Sequence, residues 1–250
     1  MRHITVPILL LLLLLNAVAQ AQTSPRTAED YLNRGNARDN QGDHDGAIAD
    51  YTKAIEINPQ YAKAYYDRGN ARRDQGDLNG ALADYTKAIE INPQYAHAYI
   101  NRGTVRARQG DLNGALADYS KAIEINPRDA EAYNNRCIVR DHKRDYDGAI
   151  ADCTKAIEID PRDAEAYNNR GNARDDKGDL EGALADYTKA IEINPRYAHA
   201  YANRGVVKLQ QGKDAEAQPD LDAAVKLDSG LKASLEEMIN KVKLARKPKE

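Results

Sequence analysis

The hydrophobic and polar positions of this chain repeat with a period of 34 residues. The copy at residues 164–197 contains two stretches of helical periodicity. The first, over about residues 164–176, places Tyr167 and Gly171 on one face. The second places Ala183, Tyr187, Ala190 and Ile191 on one face. Each copy is therefore predicted to form two amphipathic helices.

Turn-forming residues separate the two predicted helices. Gly178 stands where a first helix commonly ends in a left-handed residue, and Asp179 follows as an N-cap for the second helix. Pro195 ends the second helix, because the residue before a proline is disfavoured in the α region. The same signals recur in most other copies, although the fourth has Arg144 in place of the glycine.

Six copies follow one another without insertion or deletion. They occupy residues 28–61, 62–95, 96–129, 130–163, 164–197 and 198–231. A fixed period in this range is the mark of a stacked repeat protein. One pair of amphipathic helices cannot bury both of its apolar faces, so neighbouring copies must stack to complete a core. The pattern predicts an all-α fold.

The unit resembles the tetratricopeptide repeat, which has an aromatic residue in fourth place, Gly in eighth, Ala in twentieth, Tyr in twenty-fourth and Pro near its end. The fourth-place residues here are Tyr31, Tyr65, Tyr99, Tyr133, Tyr167 and Tyr201, where the family often has Trp. The resemblance implies a right-handed α-α superhelix, a solenoid of six repeats. It also implies that the first helices line a concave groove where peptides bind.

Residues 1–21 have a different composition from the repeats. Arg2 and His3 precede an apolar run at residues 8–15, and small residues before Ala19 and Ala21 form two cleavage sites. This is the layout of a secretory signal, and the run is shorter than the roughly 20 residues of a membrane span. We expect export, periplasmic or alternatively secreted, with cleavage preferred after Ala21 and no stable membrane insertion afterwards. Residues 22–27 form a short linker.

The chain after the sixth repeat is predicted to cap the stack. Leu235, Met238, Ile239 and Val242 form an apolar stripe at helical spacing within residues 232–250, and the segment ends in a basic tail. The stripe would cover the open end of the sixth repeat. Within that repeat, Pro219 is expected to make the second helix start late or bend, because proline removes a backbone donor.

Charge and motifs argue against catalysis and against nucleic-acid binding. The 36 Lys and Arg nearly balance the 39 Asp and Glu, whereas a nucleic-acid protein shows a dominant basic face. The five histidines are scattered, and the sequence contains no phosphate-binding loop, nucleophile elbow or zinc-protease motif. The sequence therefore predicts no enzyme activity, no cofactor and no metal.

Every repeat has Arg in seventh place and Asp in twenty-third place. The pairs are Arg34 with Asp50, Arg68 with Asp84, Arg102 with Asp118, Arg136 with Asp152, Arg170 with Asp186, and Arg204 with Asp220. The arginines form either an anion-binding track or a ladder in which each Arg pairs with its Asp across the two helices. Six matched partners favour the ladder.

Asparagine dominates the sixth and ninth places, which by the resemblance face the groove together with the second, fifth, twelfth and thirteenth. The predicted binding residues are Asn33, Asn36, Tyr66, Asn70, Asn101, Asn135, Asn169, Asn172 and Asn203. An amide side chain can donate to and accept from an extended peptide backbone. Alternatively, Asn is a polar filler copied with the unit. No repeat has Lys in fifth place, which disfavours the family's clamp for a C-terminal carboxylate.

These observations predict a non-catalytic scaffold that binds a protein or an extended peptide in the groove. Two alternatives stay open. The near-identical repeats could pack against those of another chain, which would make the protein a self-associating structural scaffold. A glycan-binding solenoid using Tyr and Asn is the other, although most tyrosines stand in core places.

The only two cysteines fall in the fourth repeat. Cys137 replaces the eighth-place glycine, and Cys153 replaces the twenty-fourth-place tyrosine. A gain of volume at one place and a loss at the other suggest that the two places touch, and an exported compartment favours a disulfide. If the eighth place faces the twentieth, however, the Cα atoms would lie roughly 7–8 Å apart, beyond the usual disulfide range. Two reduced, buried thiols are the alternative.

Overall fold

A computed structural model describes residues 27–246. The predicted signal segment, almost all of the linker and the last four residues lie outside the described part, so the expectations placed on them stay predictions. The described residues form thirteen α-helices and one 3-10 helix at Ser229–Leu231, and none of them lies in a strand. The all-α prediction is confirmed.

Two helices form each repeat, and a thirteenth follows the sixth repeat. They are α1 (Ala28–Asp39), α2 (His44–Ile57), α3 (Ala62–Asp74), α4 (Leu78–Ile91), α5 (Ala96–Arg108), α6 (Leu112–Ile125), α7 (Ala130–His142), α8 (Tyr146–Ile159), α9 (Ala164–Lys177), α10 (Leu180–Ile193), α11 (Ala198–Gln210), α12 (Asp214–Leu227) and α13 (Lys232–Ala245). The first and second helices of each repeat pack against each other, and α13 packs on α11.

The turn between the two helices of a repeat has the predicted conformation. Gly178 has φ 91°, in the left-handed region where glycine is unstrained, and the Asp179 side chain accepts a hydrogen bond from the Gly182 N–H. Arg144 adopts the same left-handed conformation, with φ 62°, although it carries a side chain. The fourth repeat therefore keeps the turn geometry without its glycine.

The chain packs into two compact units, one that ends at Pro93 and one that begins at Gln94. The N-terminal unit contains the first two repeats, and Leu32, Tyr51 and small alanines form the core of its first repeat. The C-terminal unit contains the last four repeats and α13. Its core continues into α13, where Leu209, Leu221 and Leu235 are buried together.

The Arg and Asp side chains form the predicted ladder. In the fifth repeat Arg170 donates from Nε and Nη2 to the two carboxylate oxygens of Asp186, at 2.9 and 2.7 Å. Arg174 donates to the same carboxylate at 2.8 Å. The bidentate pair recurs in all six repeats, and each seventh-place guanidinium also lies over the fourth-place tyrosine ring of its repeat at 5.3–5.7 Å. These arginines hold the repeat together and do not form an anion-binding track.

The C-terminal helix covers the sixth repeat. Leu235 is buried, and Ile239 and Val242 pack against the same core, as the apolar stripe predicted. Met238 stays at the surface. Of the described helices, none combines the length and the hydrophobicity that crossing a membrane requires.

The second helix of the sixth repeat contains Pro219 yet begins at the same place as in the other repeats. The expectation of a late start was wrong. The Glu216 and Ala217 N–H groups bond to the Lys213 carbonyl at 3.1 and 3.0 Å, so the first turn closes ahead of the proline.

Candidate partner-binding face

Side chains of the first helices surround an open cavity in each of the two units. We call the surface that carries the second-, sixth-, ninth-, twelfth- and thirteenth-place side chains of the first helices in each unit the first-helix face. In the N-terminal unit the cavity measures about 250 Å³ and is lined by Asn36, Asp39, Asn40, Tyr51, Lys63, Asp67 and Asn70. In the C-terminal unit it measures about 290 Å³ and is lined by Asp141, His142, Asn172, Asp175, Asp176, Tyr187, Asn203, Val206 and Met238.

The ninth-place asparagines are hydrogen-bonded to buried tyrosines within their own repeats. The Tyr51 hydroxyl donates to Asn36 Oδ1 at 2.9 Å, and the Tyr187 hydroxyl donates to Asn172 Oδ1 at 3.0 Å. Tyr85 and Asn70 make the same bond at 2.8 Å. Burial raises the pKa of Tyr51 and of Tyr187, so both stay protonated donors. These three asparagines therefore stabilise their own repeats, whether or not a partner is bound.

This pairing can be recognised in the sequence, although a search for groove-facing residues does not reveal it. The ninth and twenty-fourth places change together. Where the twenty-fourth place is not Tyr, the ninth place is apolar, as in Ile138 with Cys153 and Val206 with Leu221. In the third repeat Thr104 lies 3.2 Å from the Tyr119 hydroxyl and replaces the asparagine. Comparing these two places across the repeats would have identified the ninth-place Asn as a partner of tyrosine.

Two of the sixth-place asparagines join neighbouring repeats. Asn169 Nδ2 donates to Asn134 Oδ1 of the preceding repeat at 3.1 Å. Asn203 Nδ2 donates to Asn168 Oδ1 and to Asn172 Oδ1, both at 3.0 Å. The acceptors Asn134 and Asn168 are buried. The prediction that the sixth-place Asn is simply presented to a peptide does not describe these two residues.

The remaining predicted residues lie at the surface of the first helices. Asn33 is exposed on α1, and Asn101 and Asn135 are half-buried on α5 and α7. No side-chain hydrogen bond within the described residues engages the Asn135 amide. Tyr66 is half-buried, with its ring centroid 5.9 Å from that of Tyr85. The Asn33 amide is likewise without a side-chain hydrogen bond in the described part of the chain, so Asn33 and Asn135 are the predicted residues best placed to meet a partner.

Three carboxylates of the C-terminal cavity were not among the predicted residues. Burial and the nearby charge of Asp176 raise the pKa of Asp141 to about 6, against the lowering effect of His142. Burial and Asp176 raise the pKa of Asp175 to about 6 as well, while a hydrogen bond with Gln210 acts in the opposite direction. The sequence does show acidic residues in the twelfth and thirteenth places of these repeats. They were missed because the predicted binding residues were chosen mainly for their amide groups.

Carboxylates of the N-terminal cavity have basic neighbours instead, a lysine and a histidine. Lys63 Nζ lies 2.6 Å from Asp67 Oδ2, and His44 Nδ1 lies 2.7 Å from Asp39 Oδ1. The hydrogen bond to Asp39 raises the pKa of His44, whereas burial raises the pKa of Asp67 against the effect of Lys63. The two cavities occupy equivalent places in their repeats but differ in charge balance.

Cys137 and Cys153 lie against each other between α7 and α8. Their sulfur atoms are at bonding distance and their Cα atoms are 5.5 Å apart, within the usual disulfide range. The expected separation of 7–8 Å was too long, because the eighth place lies opposite the twenty-fourth and not the twentieth. A Cβ atom added at Gly171 would come within 2.6 Å of the Tyr187 ring. The geometry accommodates the bond; oxidation of the thiols stays a prediction.

Family models recognise every repeat of this chain. Models described as "TPR repeat" match residues 69–110, 103–139 and 171–212, and models described as "Tetratricopeptide repeat" match residues 28–61, 50–83, 130–163, 153–185 and 198–230. Together they span residues 28–230. The chain belongs to the tetratricopeptide repeat family, whose fold is typically a non-catalytic scaffold for protein interactions.

Solved structures show the same relationship. The chain is 28% identical to the MamA protein, with a TM-score of 0.62 over 69% of this chain and 94% of that one. It is 25% identical to YrrB, described as a TPR protein with an unusual peptide-binding site, with a TM-score of 0.61 over 77% and 97%. A tetratricopeptide repeat protein from Parabacteroides merdae is 21% identical, with a TM-score of 0.70 over 89% and 94%, and shares the fold. Among curated proteins, none matches the chain.

Proposed function

We propose that this chain is an exported scaffold that binds a protein or an extended peptide on its first-helix face. The observation that carries this proposal is the pair of open polar cavities, one in each unit, both lined by first-helix side chains. The unusual peptide-binding site described for YrrB supports the same use of the fold. Binding on this face involves no catalytic step.

The face is held in shape before a partner arrives. The buried aspartates of the repeats, such as Asp186, receive hydrogen bonds from two cationic side chains. Asn169 and Asn203 fix neighbouring first helices to each other. A preformed surface loses less conformational freedom on binding than a flexible one, so more of the contact energy appears as affinity.

Asn135 is the amide that this proposal gives to the partner. Its side chain lies on the first helix of the fourth repeat and carries two donors and one acceptor, which match an extended peptide backbone. Asn169 and Asn203 contribute by holding the face, since their donors already bond to the preceding repeat.

Site-specific photo-crosslinking tests this face. A photoreactive amino acid replaces Asn135 in one variant and Lys155 in the other, an exposed residue on the second helix of the same repeat. We expect a partner adduct from position 135 and none from position 155 when the cells are irradiated. Equal adducts from the two positions, or adducts only from 155, would contradict the proposal. An adduct of two copies of this chain through position 135 would indicate self-association instead.

Export is the second part of the proposal, and it is supported by the composition of residues 1–21. The expected result is a mature protein in the periplasmic fraction whose N-terminal sequence begins at Gln22. A protein recovered from the cytoplasm with Met1 intact would refute it, and recovery from the medium would favour secretion.

A further inference from the structure

The cavity of the C-terminal unit is the most unusual part of the first-helix face. It measures about 290 Å³ and lies among the first helices of the last three repeats, with Met238 of α13 at its edge. We call it the acidic cavity. Its polar wall consists of Asp141, His142, Asp175, Asp176, Asn172, Asn203 and Tyr187.

Its carboxylates lack cationic partners. Among the described residues, no Lys or Arg forms an ion pair with Asp141, Asp175 or Asp176, and the only neighbouring group that can carry a positive charge at the cavity wall is His142. The Oδ1 atom of Asp141 is buried and accepts no hydrogen bond from any described residue. A buried carboxylate oxygen without a partner is unfavourable, because it has lost its water without gaining a donor.

Other carboxylates in the interior of the chain have hydrogen-bond or ion-pair partners. Each twenty-third-place aspartate receives a bidentate arginine and a second cation, as Asp152 does from Arg136 and Arg140. In the cavity of the N-terminal unit, Asp67 lies 2.6 Å from Lys63. Buried Asp129, which has no cationic partner among the described residues, accepts hydrogen bonds from the Ala132 N–H and the Asn126 amide instead. Within the same part of the chain Asp141 Oδ1 has neither kind of partner, and it therefore points to a cationic donor that comes from outside the chain.

The surroundings of the cavity repel anions as well. In the fourth to sixth repeats, the second, fifth, sixth, ninth, twelfth and thirteenth places contain no Lys and no Arg. The second places of the fourth and fifth repeats are Glu131 and Glu165, both exposed. A cationic partner is therefore favoured over the whole of this surface, beyond the cavity itself.

A side chain fits this cavity better than a metal ion does. Within the described residues, no group of three or more His, Cys, Asp or Glu side chains could hold a metal ion. A guanidinium group carries five donors in a planar fork, which suits carboxylates and amide oxygens that approach from different sides. Met238 at the edge would contact the aliphatic stem of such a side chain.

We propose that the acidic cavity binds an arginine side chain of the partner segment. This inference rests on the proposed function, since it assigns a basic peptide to the first-helix face of the fourth to sixth repeats. Arginine is expected to bind more tightly than lysine, because the fork can reach more than one acceptor at a time.

Peptide titration of the whole mature chain, followed by NMR chemical shifts, tests the inference. The probes are four blocked heptapeptides, Gly-Ser-Gly-X-Gly-Ser-Gly, in which X is arginine, lysine, citrulline or glutamate. Citrulline has the shape of arginine without its charge. We expect shifts localised to α7, α9 and α11 with arginine, weaker binding with lysine, and at least tenfold weaker binding with citrulline and glutamate. Equal binding of the arginine and citrulline peptides would overturn the inference.

Charge-removing variants test the residues. Asp141→Asn together with Asp175→Asn keeps the shape of the wall, and binding of the arginine peptide should fall at least tenfold. Glu158→Gln together with Glu192→Gln is the matched control. It removes two exposed charges on second helices and should leave binding unchanged. An equal loss in both double variants would show only a general effect of net charge and would overturn the assignment.

A pH titration of the unmodified chain covers the case in which the aspartate variant does not fold. Binding of the arginine peptide should weaken as the pH falls from 7.5 to 5, because Asp141 and Asp175 become protonated with pKa values of about 6. Asp176, His142 and Gln210 also face these groups. Binding that stays constant over this range would contradict the inference. Crosslinking through Asn135 without an arginine preference would refute this inference alone and leave the proposed function standing.

Discussion

The fourth and fifth repeats contain the same two helices but join them by different chemistry. In the fifth repeat Gly171 leaves room for the Tyr187 ring next to the first helix, and the tyrosine hydroxyl bonds to Asn172. In the fourth repeat Cys137 and Cys153 occupy the corresponding places. The comparison shows that the eighth and twenty-fourth places form one contact, and the sixth repeat shows that the twenty-fourth place can change alone, since Gly205 lies against Leu221 there. The ninth place follows, since it needs a polar residue only when a hydroxyl is present.

The largest expected effect is the loss of the cross-link in the fourth repeat. Reduction of the protein, or Cys137→Ala with Cys153→Ala, should lower the free energy of unfolding by about 3 kcal/mol, because the bond closes a loop across a separation of 16 residues. Denaturant unfolding of oxidised and reduced samples measures the difference in one sequence. Two alkylatable thiols in protein isolated without a reductant, found by mass spectrometry, would show that the bond does not form.

A chimera sharpens the same comparison. Cys137→Gly, Ile138→Asn and Cys153→Tyr together give the fourth repeat the residues of the fifth. This triple variant should be more stable than the double alanine variant, because it fills the space between the helices and supplies an acceptor for the hydroxyl. A triple variant no more stable than the double would mean that the two repeats differ in backbone as well as in side chains.

The next effect is steric and belongs to the fifth repeat. Gly171→Ala should lower the free energy of unfolding by about 2 kcal/mol, because its Cβ would lie 2.6 Å from Tyr187 Cε1 and the ring must shift. In a Tyr187→Cys background the ring is absent, so the same alanine should be tolerated. Unfolding by urea gives all four values of this cycle, and an equal loss in both backgrounds would disprove the contact.

A smaller effect comes from the hydroxyl. Tyr187→Phe removes the hydrogen bond to Asn172 and should lower the free energy of unfolding by about 1 kcal/mol. Tyr187 is changed instead of Asn172 because Asn172 Oδ1 also accepts a hydrogen bond from Asn203, which a change of Asn172 would remove as well. The fourth repeat offers no hydroxyl to remove, so Cys153→Ala in reduced protein serves as the comparison for lost volume. A phenylalanine variant as stable as the parent protein would show that the bond contributes nothing.

The smallest expected effect concerns the twelfth place, which is Asp in both the fourth and the fifth repeat. Burial raises the pKa of Asp141 and Asp175 in the folded protein above the ordinary value of 3.8. Between about pH 4 and pH 6 the folded state therefore binds more protons than the unfolded state, and these two groups favour folding increasingly as the pH falls. The stability of the parent chain relative to Asp141→Asn with Asp175→Asn should rise from pH 7 to pH 4.5. A relative stability that falls with pH would contradict the raised pKa values.

The fold could be predicted from the sequence because the repeats contain residues that start and end their helices. A glycine or its replacement, a capping aspartate and a proline set the ends of the helices, and six copies confirm one another. Arg144 shows the limit of that logic, since it takes the left-handed conformation without being glycine. Pro219 shows another, because the first turn of α12 closes before the proline is reached.

The site was less predictable, because its chemistry depends on contacts between elements. The Asn residues stand on the predicted helices, yet Asn172 bonds to a tyrosine of its own repeat and Asn203 to the repeat before it. A single repeat could not show these partners without the register of the two helices. The same missing register placed the eighth place opposite the twentieth and made the cysteines seem too far apart. Similarly, the cavity beside Asp141 is lined by residues of three repeats, which no single repeat could reveal.

The contact between successive arginines and hydroxyls has an evolutionary consequence. Arg170 donates to Thr154 of the preceding repeat, and Arg204 donates to Thr188 in the same way. The first five repeats each carry both halves of such a junction, an arginine in seventh place and a Thr or Ser in twenty-fifth, whereas the sixth has Asp222 in twenty-fifth place. Duplication or loss of one of those five 34-residue units regenerates a matched pair of residues without further mutation. The first repeat has no repeat before it, and its Arg34 is 41% exposed where the later arginines are 12–18% exposed. An array built this way can change length by recombination without new mutations in these paired places.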